Sequence, residues 1–354
     1  MSLLLFKSIL ILTLFLVSLG IAAYSTYAER KVAAFLQDRI GPDRAGPYGL
    51  LQPIADGTKM FLKEEIIPMF SDKWLFILGP SLFMVTALMT SAVIPWGKSI
   101  EIGGQVYNLQ VADINVGILY ILGVVSLGVY GIMIGGWSSN NKFALLGAIR
   151  ASSQMISYEL AMGMSVITVL LISNGSLSLN SIVESQGEGK LYGLINVSGI
   201  NWNVFYQPVA FIIFLTCAFA ECNRTPFDLP ESESELIGGY HTEYSSMKLG
   251  LYLFAEYINM FISSAVISCL FFGGYNFPGI EYLSNHLPVN IVSLISVCVL
   301  FGKIFFFIFF FMWVRWTIPR FRYDQLMRLG WYVLMPLSII NVLITGALVT
   351  YFGK

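Results

Sequence analysis

The sequence predicts an all-α integral membrane protein with about eight transmembrane helices and short amphipathic helices at the membrane interface. Lys, Arg, Asp and Glu make up only 12% of the 354 residues, against roughly 25% in soluble domains. Hydrophobic residues make up 56%, and the mean hydropathy is +0.73. A soluble domain of this size needs a charged surface, which this composition cannot supply.

Apolar runs long enough to cross a membrane, at about 20 residues each, occur eight times. The first could be misread as a signal peptide ending near Ala28, but its apolar core is too long, and we interpret it as a retained span. We predict one polytopic membrane domain over residues 1–354. Its spans lie near 8–28, 74–95, 114–137, 155–173, 204–220, 249–275, 289–313 and 331–352.

The distribution of Lys and Arg predicts the orientation. The loops 29–73, 138–154, 221–248 and 314–330 carry fifteen of the 20 cations, and the opposite side carries four. Cytoplasmic loops are enriched in Lys and Arg, so we expect these four loops to face the cytoplasm and both termini to face the other side. The spans show no matching pair of broken helices, which many transporter folds contain.

Composition also limits the chemistry of the chain. The net charge of -1 argues against bulk binding of nucleic acid, which depends on an excess of cations. The two histidines and four scattered cysteines form no metal-ligand spacing. We therefore expect no cofactor to be held by this chain alone.

Residues 56–67 are predicted to form an amphipathic helix in the membrane interface, after Pro53 and ending at Pro68. Asp56, Lys59 and Lys63 would share one face of it. The alternative is a plain connecting helix.

Three charged residues fall inside predicted spans: Glu159 near the start of the fourth, Glu256 in the sixth and Lys303 near the middle of the seventh. A charge at mid-membrane costs about 3 kcal/mol on insertion scales, so each must face protein, water or a counter-charge. The alternative for each is a hydrogen bond that only fastens two helices.

The sixth span carries a polar stripe. Tyr252, Glu256, Asn259 and Ser263 recur at helical spacing on one face. We expect that face to turn into the protein.

The loop after the fifth span is unusually acidic, with only Arg224 and Lys248 as cations. Close carboxylates suit the storage and relay of protons, because like charges disfavour ionisation. The alternative is a solvated surface loop, although Pro226, Phe227 and Pro230 favour a folded one. The six acids are Glu221, Asp228, Glu231, Glu233, Glu235 and Glu243.

Four segments carry a resemblance to a known family: AERKVAAFLQDRIGPDRAGPYGLLQPIAD (28–56), RASSQMISYEL (150–160), AECNRTPFDLPESESELIGGYHTEY (220–244) and RFRYDQLMRLGW (320–331). They resemble the H-subunit, or chain-1, family of respiratory complex I, the NADH:quinone oxidoreductase. The resemblance extends over effectively the whole chain, and the family's eight-span fold agrees with the spans counted from hydropathy.

The resemblance implies a subunit that lines a quinone chamber shared with two hydrophilic partner subunits and couples quinone reduction to proton translocation. It implies no redox centre in this chain, no activity of the chain alone, and iron–sulfur clusters and FMN in partner subunits. The partners would be the hydrophilic quinone-module subunits, adjacent membrane-arm subunits, quinone and lipid.

The resemblance also assigns candidate residues by motif position. Quinone-binding residues would be Glu29, Arg30, Asp56, Arg224, Asp228, Glu231 and Glu233. The proton path would contain Glu159, Glu221, Glu235, Glu256 and Lys303. The interface with the hydrophilic arm would contain Arg320, Arg322 and Asp324.

Other functions remain open at this point. The equivalent subunit of a ferredoxin-fed complex or of a membrane-bound hydrogenase would look alike, since the electron donor binds elsewhere. A free-standing ion transporter is disfavoured by the lack of repeats. The Ser/Asn/Gly-rich segment 174–203 favours the inner membrane of a bacterium over that of a mitochondrion.

Overall fold

The computed structural model describes residues 2–173, 175–187, 201–229 and 236–352. In this part of the chain helices dominate, and a short antiparallel hairpin joins β1 (Ile100–Ile102) to β2 (Gln105–Tyr107). The helices are α1 Leu3–Leu36, α2 Gln52–Leu62, α3 Lys73–Thr90, α4 Gly117–Ser138, α5 Lys142–Ile172, α6 Leu179–Ser185, α7 Asn203–Tyr206, α8 Pro208–Glu221, α9 Ser246–Phe271, α10 Ile280–His286, α11 Val289–Thr317, α12 Tyr323–Arg328 and α13 Met335–Phe352. A π-helical segment, Leu329–Leu334, joins α12 to α13.

The predicted all-α multi-pass architecture is confirmed. Seven apolar helical segments among the described residues are long enough to cross a membrane. The region of the predicted fifth span contains the shorter helix α8, whose 14 residues extend about 21 Å at 1.5 Å per residue. That is less than the roughly 30 Å of a bilayer's hydrocarbon core.

Two predicted boundaries were wrong by many residues. The fourth span begins at Lys142 rather than near residue 155, because Asn141 caps α5 by accepting a hydrogen bond from the Phe143 amide at 2.9 Å. The polar residues of this first part lower its hydropathy but are partly buried by neighbouring helices. The first span continues to Leu36, so Glu29 and Arg30 lie on α1 and not in a loop.

The amphipathic helix was predicted too late in the sequence. α2 runs from Gln52 to Leu62 instead of 56–67, with Pro53 inside its first turn. Proline is favoured there because the first amides of a helix have no partner within the helix. From Lys63 the backbone is extended.

α9 forms the centre of the bundle, where it packs against α1, α3 and α11. The predicted inward stripe is confirmed: Tyr252, Glu256 and Ser263 are buried and Asn259 is half-buried. The Tyr252 hydroxyl donates to the Gly131 carbonyl at 3.0 Å. It reaches this atom because α3 and α4 approach closely through glycines, as small residues permit in membrane helices: a Cβ on Gly79 would lie 2.9 Å from the Cα of Gly135.

The bundle has two ends. The charged end contains residues 37–72, 139–141 and 239–245, together with 318–322. The opposite end contains residues 91–116, 272–279 and 287–288, with α6 and α10.

Residues 222–229 follow α8 as a non-helical segment buried inside the bundle. Asn223, Arg224 and Asp228 are each 3–5% exposed. The Gln154 side-chain amide on α5 donates to the carbonyls of Ala220 and Phe227, at 2.8 Å in each case. This bond satisfies a terminal carbonyl of α8 that its own helix cannot, and the folded alternative for the start of the acidic loop is confirmed.

Candidate functional site

A buried ionic cluster surrounds Glu29 on α1. One carboxylate oxygen pairs with Arg315 of α11 at 2.6 Å, and the other contacts Arg224 at 3.5 Å. The Tyr257 hydroxyl of α9 donates to that second oxygen at 3.0 Å. The Arg224 guanidinium also lies over the Tyr257 ring, 4.1 Å from its centroid. Glu29 therefore connects α1, α9, α11 and the buried 222–229 segment at one point.

A cavity of about 200 Å³ opens beside this cluster, between α1, α2 and α9. At its edge Arg30 pairs with Asp56 at 2.8 Å, and the Gln52 side chain donates to the other Asp56 oxygen at 3.0 Å. Both charged and apolar side chains line it. The lining residues are Ala23, Thr26, Glu29, Arg30, Pro53, Asp56, Gly57, Met60, Gly250, Leu253, Phe254 and Tyr257.

Asp228 lies in a second ion pair. Its buried carboxylate pairs with the Arg320 guanidinium at 2.9 Å, so a predicted quinone residue and a predicted interface residue are in direct contact. Arg322 and Asp324 pair at 2.7 Å on the exposed surface of the same end. Glu231 and Glu233, also predicted to bind quinone, lie outside the described residues.

The buried acids of the predicted proton path have hydroxyl partners. The Tyr240 hydroxyl donates to Glu256 at 2.9 Å, and the Ser126 hydroxyl of α4 donates to Glu159. Near Tyr240, burial raises the pKa of Tyr244, so this hydroxyl stays protonated. It donates to backbone carbonyls of α3 and α4.

Glu221, at the end of α8, lines a small cavity together with Asn259 and Ser263 of the polar stripe. The cavity has a volume of about 30 Å³, enough for about two water molecules. Glu221 lies on α8, which packs against α5, the helix that carries Glu159. Glu235, the remaining acid of the predicted path, lies outside the described residues.

Lys303 has a different environment from the acids. Its ammonium donates to the backbone carbonyls of Phe272, Gly274 and Asn276, each at 2.7 Å, and lies 5.1 Å from the centroid of the Trp202 ring. An ammonium has three donors, so these bonds use all of them. The arrangement is typical of a cation at a helix C-terminus, and the relay role of Lys303 stays a prediction.

Sequence reasoning missed four side chains of the site: Arg315, Tyr257, Tyr240 and Ser126. Tyr257 lies outside the polar stripe of α9, so the stripe pattern could not include it. Arg315 ends an apolar helix, where a cation is ordinary. Tyr240 and Ser126 are uncharged. Their presence is therefore ordinary and does not single them out in the sequence.

In the described part of the chain, no group of three or more His, Cys, Asp or Glu side chains is arranged to hold a metal ion. Glu29 and Asp228 are instead paired with arginines, and Glu159 and Glu256 are bonded to hydroxyls. These features define a multi-pass membrane protein with a polar site at one end of its bundle.

Comparisons with known proteins identify the family. Residues 8–346 match the NADH dehydrogenase family, and the chain belongs to it. It is 64% identical to the first NADH-quinone oxidoreductase H-subunit of Cytophaga hutchinsonii, over 98% of this chain and 97% of the relative. It is 62% identical to the H-subunit of Flavobacterium johnsoniae, over 97% and 95%, and 48% identical to the second H-subunit of Geobacter metallireducens, over 96% and 94%. The resemblance stated from the sequence motifs is confirmed.

Proposed function

We propose that this chain is the membrane subunit of a proton-pumping NADH:quinone oxidoreductase that holds quinone at the charged end and couples its reduction to proton movement. Its relatives carry the name of that complex, which favours this function over a ferredoxin-fed complex or a hydrogenase. The complex is an oxidoreductase. In it, NADH oxidation, FMN and the iron–sulfur clusters belong to partner subunits, and this chain supplies the quinone site.

The cavity beside Glu29 is the observation that carries the proposal. A quinone needs polar groups at its headgroup, where two electrons and two protons arrive, and apolar walls for its isoprenoid tail. Arg30, Asp56 and Glu29 provide the first, and Met60, Leu253 and Phe254 provide the second. Its volume of about 200 Å³ is below the roughly 300–1,000 Å³ of complete ligand sites, which fits a chamber completed by partner subunits.

The coupling part of the proposal rests on the polar contacts that continue from this cavity. Tyr257 contacts Glu29, and its neighbour Glu256 faces the interior with Tyr240. One turn further along α9, Asn259 shares a cavity with Glu221. Glu221 in turn lies on α8, which packs against the helix of Glu159, α5. These groups form a series of proton acceptors and donors that are not all in direct contact. A change of charge at the quinone can alter how readily each of them binds a proton.

A photoreactive quinone analogue tests the location of the site. In the assembled complex it should label residues 46–67, and unlabelled quinone should remove the label by competition. Labelling of residues 96–113 or 174–203 instead would place the quinone at the opposite end and contradict the proposal.

Asp228→Asn tests the quinone role of the buried pair with Arg320. The amide keeps the shape but loses the charge, so quinone reduction should fall while electron transfer from NADH to an artificial acceptor that bypasses quinone is spared. Asp113→Asn, an exposed position near the opposite end, should change neither rate. Equal loss of both rates in Asp228→Asn would mean that the residue only supports assembly.

We further propose that the charged end faces the cytoplasm of a bacterial cell and that both termini face the other side, as the Lys and Arg distribution predicts. Cysteines replacing the exposed residues Asp43 and Gln105 should be labelled from opposite sides of sealed vesicles stripped of peripheral subunits. Labelling from the same side would contradict this orientation.

A further inference from the structure

Residues 245–248, at the start of α9, contact the end of α2 through side chains that have no place in the quinone site itself. We call them the anchoring segment. The Ser246 hydroxyl donates to the Met60 carbonyl at 2.9 Å. Met60 lies in the last turn of α2, where carbonyls have no partner within the helix. Ser246 therefore caps α2 from another helix.

The same segment holds the chain that follows α2. The Ser245 hydroxyl accepts from the Ile66 amide at 3.1 Å and contacts the Glu64 carbonyl at 3.5 Å. Lys248 pairs with Glu65 at 2.6 Å. Its ammonium also lies 5.4 Å from the centroid of the Phe76 ring. Three side chains, those of Ser245, Ser246 and Lys248, thus hold residues 60–66 on the start of α9.

The ion pair is asymmetric, which makes Lys248 the more informative partner. The Lys248 side chain is 9% exposed, whereas that of Glu65 is 55% exposed. An exposed pair contributes little to stability. Removing either partner nevertheless loosens the tie: without Lys248 the exposed Glu65 returns to water, and without Glu65 the buried ammonium is poorly compensated and favours a rearrangement that brings water to it. Loss of the pair therefore favours movement of the segment 60–66 away from α9.

Such a movement would change the cavity beside Glu29, because α2 and α9 form two of its walls. The two walls approach each other at Gly250, where a Cβ would lie 4.0 Å from the Cγ of Met60 on α2. Gly250 is one turn after Ser246, and Met60 is the residue that Ser246 caps. The anchoring contacts therefore lie next to the part of the cavity between Met60 and Gly250.

We propose that Lys248 and Ser246 are positioning residues that set the width of the cavity between α2 and α9. The identity of the ligand, a long-tailed quinone, rests on the function proposed above. The positioning itself does not.

Kinetics of the assembled complex provide the first test. Lys248→Met keeps the apolar stem but removes the charge, and should raise KM for quinone about tenfold, corresponding to about 1.4 kcal/mol of binding, with kcat within about twofold. Lys248→Arg and the charge exchange Lys248→Glu with Glu65→Lys should restore KM. A fall in kcat at unchanged KM, or no rescue by the exchange, would overturn the proposal.

Accessibility of the cavity provides a second test that involves no quinone. Gly57 lines the cavity and has open space where a Cβ would lie, so Gly57→Cys can be made in a background where the exposed Cys298 is Ser. In Lys248→Met the rate of labelling by a bulky maleimide should rise about tenfold, by the same factor as KM. The rate of labelling by a small maleimide should stay unchanged. If Lys248→Met does not assemble, Glu65→Gln, which leaves the buried ammonium without its carboxylate, should show the same selectivity with an increase at least as large.

The two tests separate the two proposals. Unchanged labelling by the bulky reagent means that the wall has not moved, and the positioning role fails. Faster labelling with an unchanged KM supports the positioning role but removes the quinone from this cavity, so the proposed function fails instead.

Discussion

The two ends of α9 use charged and polar side chains in different ways. In the half of α9 nearer the charged end, Ser246 and Tyr252 donate to backbone carbonyls, but Glu256 and Tyr257 bond to other side chains, Tyr240 and Glu29. At the opposite end the bonds go to backbone carbonyls: Gln186 donates to Cys269, Asn203 to Leu270, and Lys303 to three further carbonyls. Backbone carbonyls do not titrate, whereas carboxylates and hydroxyls can exchange protons. The comparison therefore predicts that function depends on the charged end and stability on the opposite end.

The largest expected effect is at Glu29. Glu29→Gln keeps the shape but removes the charge that two arginines share, so quinone reduction should fall about 100-fold, as for a displaced reactant. NADH oxidation by an artificial acceptor and the amount of assembled complex should stay near normal. The control is Glu101→Gln, an exposed carboxylate at the opposite end. Full activity of Glu29→Gln would remove the cluster from the quinone site.

A smaller effect is expected at Glu221, which extends the comparison to the middle of the bundle. Glu221→Gln cannot exchange a proton, so quinone reduction and proton pumping should fall together about tenfold, a typical size for coupling between sites. Both are measured in sealed vesicles, with the exposed Glu184→Gln as control. Normal coupled turnover at normal abundance would leave Glu221 with a structural role only.

At the opposite end Lys303→Met should affect stability instead. The change leaves three carbonyls without their donor and should lower the stability of this subunit by about 3 kcal/mol. Thermal inactivation of the purified complex should accelerate, while turnover and proton yield per assembled complex stay within about twofold. Lys98→Met, at the same end, serves as control. Loss of pumping without loss of stability would support the relay role predicted for Lys303 from the sequence.

The smallest effect is expected at Asn203. Asn203→Ala removes one hydrogen bond to the end of α9, at 2.8 Å, and should cost about 1 kcal/mol with unchanged activity. Thermal inactivation measures it against Asn115→Ala, which is exposed. A loss of activity in Asn203→Ala would show that function also depends on the opposite end, against the comparison.

Hydropathy predicted the helical class and the approximate place of the spans, because burial in lipid requires long apolar runs. It could not predict where α5 begins, since polar residues such as Gln154 lower the hydropathy of a segment that other helices bury. It also could not separate Glu256 from Lys303. Both are charges within spans, and only the structure shows that one meets a hydroxyl and the other meets carbonyls.

The carboxylates of the site could be predicted from the sequence, whereas the uncharged side chains that contact them could not. Buried carboxylates such as Glu29 and Asp228 stand out in an apolar sequence and belong to long motifs, so they were predicted. Tyr240 and Ser126 were not, because hydroxyl side chains are common within membrane helices. The partner of a charge is set by tertiary packing, and no spacing in the sequence indicates that Arg315 meets Glu29.

The short helix α8 has a consequence for how the protein is made. Its 14 residues, mostly apolar, run directly into the polar segment 222–229 and are a poor substrate for insertion by the translocon on their own. The Ala220 carbonyl accepts from Gln154, which is synthesised earlier, but Gln207 at the start of α8 bonds to Thr345 and Asn341 of α13, which are synthesised later. Non-helical backbone persists at membrane depth only where protein shields it from lipid. The contacts that hold α8 in place therefore become complete only after α13 has been synthesised and has packed against it.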